Sequence, residues 1–160
     1  MNIVKYDPKY IDGVVDVLSE ISVFYNGANS SNTETIRKNL LNNFLGKNSD
    51  IQLILALEGE MVVGIATFSI LYPAPKEHGQ LFLKELFVLE KYRKRNVGTS
   101  MMKFIANFAI HNNCSRFDWT VDRENEIAIN YYNMIGASQL NNKLYYRLDG
   151  EALENFAMGR

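Results

Sequence analysis

The sequence predicts an α/β fold of the α+β kind, a mixed central sheet of six to seven strands with about four helices, and three patterns predict it. Two amphipathic helical stretches precede the main strands. Apolar runs Ile51–Leu57 and Met61–Ile70 flank Glu58-Gly59-Glu60, which reads as a hairpin because Gly59 can supply the positive φ of a tight turn. The strand Leu83–Leu89, a helix of crossover length and the strand Arg116–Val121 then form a β-α-β unit, whose strands must run parallel. A chain of 160 residues, 47% of them apolar, suits a single domain spanning 1–160 with a proper core.

In chain order, Asn2–Tyr6 alternates as an opening strand, and Asp7 caps a helix that begins at Pro8, where a missing N–H costs nothing. Ile11, Val14, Val15, Leu18, Ile21 and Phe24 repeat at helical spacing and give that helix one apolar face. The polar run Tyr25–Ser30 ends it. Ser31 and Glu34 have the spacing of a capping box, and Ile36, Leu40, Leu41, Phe44 and Leu45 mark a second amphipathic helix closed by Gly46. A third helix is expected from Val97 to Asn112, with Met101, Met102, Ile105, Phe108 and Ala109 inward. Ile127, Ala128, Tyr131, Tyr132 and Ile135 mark a fourth, stopped by Gly136. Ala137–Leu140 and Lys143–Leu148 read as a closing antiparallel strand pair across Asn141-Asn142, and the tail Glu151–Arg160 is left undecided between a helical turn and a frayed end.

Composition removes several function classes. The 17 basic and 18 acidic residues nearly cancel, so a general nucleic-acid binder is disfavoured and any anion site must be local. One cysteine, Cys114, forms no internal disulfide, and His78 and His111 have no metal-ligand spacing, so no metal is expected. The N-terminus lacks a signal-peptide pattern and no apolar run reaches membrane-spanning length, which points to the cytoplasm without a membrane partner.

The most informative stretch is the one where the Leu83–Leu89 strand gives way to the third helix. Arg93-Lys94-Arg95-Asn96-Val97-Gly98-Thr99-Ser100 is a basic turn feeding a helix start. Exposed N–H groups, the positive end of the helix dipole and fixed cations all favour an anion such as phosphate there.

This order of elements resembles the Gcn5-related N-acetyltransferase (GNAT) superfamily over nearly the whole chain. Three motifs carry the resemblance. Arg93-Lys94-Arg95-Asn96-Val97-Gly98 matches the family's pyrophosphate turn, with Asn96 where the family usually has glycine; asparagine is the residue besides glycine that most readily turns left-handed. Asn125, Asn130-Tyr131-Tyr132 and Gly136-Ala137 match the loop asparagine, the aromatic helix and its stop. Leu86-Phe87-Val88 matches the splayed strand along which the acyl-pantetheine arm lies.

The resemblance implies transfer of an acetyl group from acetyl-coenzyme A to a primary amine. Its cofactor contacts fall on Phe87, Val88, Arg93, Lys94, Arg95, Asn96, Val97, Gly98, Thr99, Asn125 and Tyr132. An alkyl ammonium of pKa about 10 must lose a proton before attack, and Glu85 is the carboxylate beside the expected acyl site. Lys84 and Glu85 point to opposite faces unless a bulge intervenes, and Asp118 and Asp122 are reserves for the same role. A strand N–H near Val88 would serve the oxyanion. Tyr132 matches the tyrosine that reprotonates the leaving thiolate in many members, while Tyr131 reads as packing. Tyr25, Glu34, Glu85 and Trp119 are the expected substrate contacts.

Within the superfamily the segment Arg116–Ala137 is most similar to the small-amine branch that includes spermidine/spermine and thialysine acetyltransferases. The branch implies a diamine, polyamine, amino-acid or aminoglycoside acceptor, and Tyr25–Thr35, which holds no acidic cluster for a long polycation, points to the small diamine, the amino-acid side chain or the aminoglycoside. The rival readings are a sensor that binds acyl-CoA without turnover, a protein lysine or N-terminal acetyltransferase and, well below these, a nucleic-acid binder using Arg93–Arg95. The family also accommodates a homodimer.

Overall fold

A computed structural model describes residues 1–46 and 49–160. They fall into two compact units, Met1–Thr120 and Val121–Arg160. The first holds a five-stranded sheet in the order β1-β2-β3-β4-β5, made of Asn2–Lys5, Gln52–Glu58, Met61–Ala74, His78–Val88 and Cys114–Trp119. Neighbours are antiparallel except β4 and β5, which run parallel as the crossover helix α3 (Val97–His111) requires. The β2–β3 turn pairs Glu58 with Met61 around Gly59 at φ 61°.

Helix α1 runs Ile11–Asn26 behind a 3₁₀ turn at Pro8–Tyr10, which the Asp7 carboxylate caps by accepting from Lys9 N–H at 3.0 Å. Helix α2 is shorter than its apolar pattern suggested. It spans Thr33–Asn39 and widens into a π-turn at Leu40–Phe44. Its cap is Asn32, whose side chain accepts from Thr35 N–H at 2.8 Å; the cap expected at Ser31 lies one residue too early, and Ser31 N–H instead bonds the Ser22 hydroxyl.

Helices α1 and α2 cover one face of the sheet. Val14, Val15 and Val17 pack with Leu40, Leu53, Leu55, Leu57, Val62 and Ile65, and burying each such aliphatic side chain is worth about 1.5–3 kcal/mol. Helix α3 covers the other face, where Met101 and Ile105 are fully buried and Phe108 meets Phe68 edge-on at 5.1 Å. The core therefore holds β4 from both sides.

The second unit holds α4 (Glu126–Met134) and α5 (Gly150–Ala157), so the tail is helical. The closing pair expected at Ala137–Leu140 and Lys143–Leu148 does not form, and the described residues hold five strands where six to seven were expected. A strand needs partners for its backbone groups, and alternation of side chains cannot supply them.

Gly64 faces Val88 across β3 and β4, and a Cβ there would lie 2.8 Å from the Phe87 carbonyl oxygen. Backbone cannot yield as a flexible side chain can, so Gly64→Ala is expected to cost about 1–3 kcal/mol, read as a lower urea midpoint at unchanged slope.

Candidate active site

The parallel pairing of β4 with β5 ends at Leu83 opposite Trp119, yet β4 continues to Val88 with only β3 beside it. The two strands have parted. Leu89 N–H bonds the Val63 carbonyl at 3.0 Å, so by alternation Val88 turns its own N–H and carbonyl to the open side. This is the donor orientation that a developing oxyanion needs.

A bulge lies just before the parting. Thr67 pairs with Glu85 and Phe68 with Leu83, leaving Lys84 as the extra residue. Beyond it Phe87 packs against the α1–α2 core, and the Tyr25 hydroxyl at the end of α1 hydrogen-bonds the Glu85 carboxylate. Burial holds the Glu85 carboxyl above the ordinary glutamate range; the Lys84 charge, the Leu86 N–H and Tyr25 pull it down without cancelling that effect. Phe24 joins the group by edge contacts to Tyr25 at 5.2 Å and Phe87 at 6.0 Å. Glu85, Tyr25 and Phe87 are thus brought together, and Trp119, tilted against Phe117 at 4.9 Å, ends the strand where the parting begins. Glu34 lies exposed in the first turn of α2. Of the reserve carboxylates, Asp118 is taken up with Gln80 at 2.8 Å and Arg116 at 3.4 Å.

Asn96 is left-handed at φ 61°, as its place in the turn called for, and leads directly into α3 at Val97; Lys94 is left-handed as well, at φ 59°. Val97, Gly98 and Thr99 supply the first helical N–H groups, with no acidic side chain in that turn. A Cβ at Gly98 would touch only Leu86, at an ordinary 3.7 Å.

The three cations differ in a way that composition hides. Arg93 donates through Nε to the Val88 carbonyl at 2.9 Å and lies over the Phe87 ring at 5.3 Å, tying the turn to the parted strand. Arg95 lies 3.8 Å from Glu58 and over the ring of buried Tyr92, which hydrogen-bonds the same carboxylate. Lys94 stays exposed on its left-handed backbone. Together the turn, the helix start and Lys94 have the donors and charge that a diphosphate needs.

A cavity of about 300 Å³ is lined by Lys9, Tyr10, Asp16, Glu20, Glu60 and Leu89 among others. Neither Glu85 nor residues 93–98 line it. No cluster able to hold a metal occurs among the described residues, and no helix among them is long and apolar enough to cross a membrane.

In the second unit the Asn125 side chain caps α4, accepting from Ala128 N–H at 3.1 Å. Tyr132 lies on α4 with its ring 5.6 Å from Tyr131, edge to face.

The model of the acetyltransferase (GNAT) family matches residues 16–137. The chain belongs to that family. It is 30% identical over 103 residues to the thialysine N-epsilon-acetyltransferase of Mus musculus, covering 62% of this chain and 60% of that protein. The L-ornithine N5-acetyltransferase NATA1 of Arabidopsis thaliana is 29% identical over 98 residues, 61% of this chain and 43% of that protein. The GNAT chain thus spans less than two thirds of the length of these relatives. Among solved structures, the integron cassette protein VCH_CASS6 from the V. cholerae mobile metagenome superposes with a TM-score of 0.92 at 34% identity, covering 98% of this chain and 96% of that one. The aminoglycoside N-acetyltransferase AAC(6')-Iy in complex with CoA shares the fold at a TM-score of 0.72, 14% identity and 92% and 93% coverage.

Asn96→Gly is expected to leave acetyl-CoA affinity unchanged or slightly tighter, whereas Asn96→Ala should weaken it, because holding alanine left-handed costs about 1–2 kcal/mol. Titration calorimetry with acetyl-CoA distinguishes the two.

Proposed function

We propose that this protein is an acetyl-CoA-dependent N-acetyltransferase that acetylates a primary amine of a small molecule by direct attack in a ternary complex. The observation that carries the reading is the parted end of β4, with Val88 N–H turned to the open side, Glu85 on the α1 side and the left-handed turn 93–98 beyond it. The family match crosses the boundary at Thr120, which supports treating both units as one N-acetyltransferase domain over 1–160.

The turn and the first N–H groups of α3 hold the diphosphate of coenzyme A, with Lys94 adding charge, and Phe87 and Val88 flank the acyl arm; the family's loop-asparagine motif assigns the pantetheine to Asn125. Glu85 takes a proton from the acceptor ammonium, directly or through water, and its raised pKa makes it a stronger base than an ordinary glutamate. The freed amine nitrogen bonds to the acyl carbon while Val88 N–H receives the growing negative charge. The carbon–sulfur bond then breaks, Tyr132 gives its proton to the departing thiolate, and the second proton of the amine nitrogen, lost as the amide forms, restores the phenol.

The acceptor follows from the α1 side. Phe24, Tyr25 and the Glu85 carboxylate offer aromatic faces and one negative group, a combination suited to a compact ammonium. Thialysine and ornithine, named for the relatives, are amines of that size. We place the protein in the cytoplasm with no nucleic-acid or membrane partner, in line with its near-zero net charge.

Purified protein, acetyl-CoA and an amine panel, followed by thiol release, test the proposal. Turnover with a small diamine or amino acid supports it; tight acetyl-CoA binding without turnover across the panel would make the protein a sensor. Glu85→Gln and Tyr132→Phe should each lower turnover by about 10²-fold while acetyl-CoA affinity stays nearly intact. Tyr25→Phe removes a donor that holds the Glu85 pKa down, so the acid limb of kcat/KM should move to higher pH. An unmoved limb would take Glu85 out of the base role.

A further inference from the structure

The bulge in β4 does more than add a residue. Residues opposite each other in an antiparallel pair share a face, and Leu83, opposite Phe68, lies on the α3 side, where Phe68 meets Phe108. Glu85, opposite Thr67, is two residues before Phe87, opposite Ile65, and both Phe87 and Ile65 belong to the core under α1 and α2. On a regular strand Leu83 and Glu85 would share one face; with Lys84 inserted between them they lie on opposite faces. Lys84 is thus the residue that turns the Glu85 carboxylate to the α1 side, and it stands beside that carboxylate at the bend.

The bulge itself has no need of a cation, since a neutral inserted residue would reverse the face equally well. Lys84 is exposed and joins no ion pair among the described residues, and its charge opposes the burial that raises the Glu85 pKa. A cation there weakens the carboxylate as a base and repels a second ammonium on the acceptor, so it disfavours a polyamine on both counts. It favours an acceptor that carries a negative group of its own. Because the Lys84 ammonium and the Glu85 carboxylate do not close on each other, the matching acceptor also holds its opposite charges apart. The α-amine of an amino acid adjoins its carboxylate, whereas a side-chain amine lies at the far end of a chain.

We propose that Lys84 is a specificity-determining residue that pairs with the carboxylate of an amino-acid acceptor while the side-chain amine of that acceptor faces Glu85. The amine end of this assignment rests on the acetyl transfer proposed above; the carboxylate end does not.

The test uses acceptors of one chain length that differ at the far end: 5-aminopentanoate with a carboxylate, pentylamine with a methyl group and 1,4-diaminobutane with a second ammonium. Calorimetry reads the binding of each to the protein loaded with CoA, and thiol release reads turnover with acetyl-CoA. The wild-type protein is expected to bind 5-aminopentanoate about tenfold more tightly than pentylamine, with the diamine weakest. Lys84→Met should remove that advantage and Lys84→Arg should keep it. Equal affinity for 5-aminopentanoate and pentylamine in the wild type, or a preference that survives in Lys84→Met, would overturn the role of Lys84. So would binding of none of the amines. The expected preference in binding, without turnover of any acceptor, would uphold Lys84 and remove the acetyl transfer instead.

Discussion

The constraint on which the site depends is that two parallel strands part while the sheet around them stays intact. β4 is held by β3 along its whole length, including beyond Leu83, so it does not fray when β5 leaves. A polar backbone edge is thereby exposed inside a well-packed unit, an arrangement that would be a liability on an ordinary sheet. Gly64 permits the close approach of β3, and Arg93 occupies the Val88 carbonyl. The Val88 N–H is left on the open side.

The basic turn shows a division of labour among like charges. A guanidinium can bond a carbonyl and lie over a ring at once, and Arg93 does both. Arg95 is drawn to Glu58 and Tyr92 at the end of β2, so it fixes the turn to the hairpin. Lys94, between them, is exposed. An anion held in the turn would then meet mainly backbone N–H groups, whose placement is set by two left-handed residues rather than by long side chains.

Local chemistry made much of this readable. Asp7 before Pro8, Gly59 between apolar runs and Asn96 before an amphipathic helix each fix a backbone conformation through the residue itself, and each is found as expected. The β-α-β unit was equally legible, because the crossover length leaves parallel pairing as the workable arrangement. Features that depend on distant partners were not. The bulge at Lys84 belongs to the register with β3, and the attachments of Arg93 and Arg95 need the fold to bring Val88 and Glu58 to them. Lys143–Leu148 has the alternation of a strand, but pairing is a property of two segments. Asn32 displaced Ser31 as a cap because neighbouring polar residues can serve equally and the helix takes one.

The short α2 carries a further consequence. Its regular turns contain no buried residue, and its link to α1 includes an exposed ion pair, Arg37 with Asp12 at 2.6 Å, of a kind worth little in water. The elements that would meet the acceptor, the end of α1 and α2, share no residue with the anion turn at the start of α3. Changes in the acceptor wall can therefore accumulate with little penalty to folding or to the coenzyme side, so a single scaffold of this type can diversify its choice of amine while its acyl donor stays fixed.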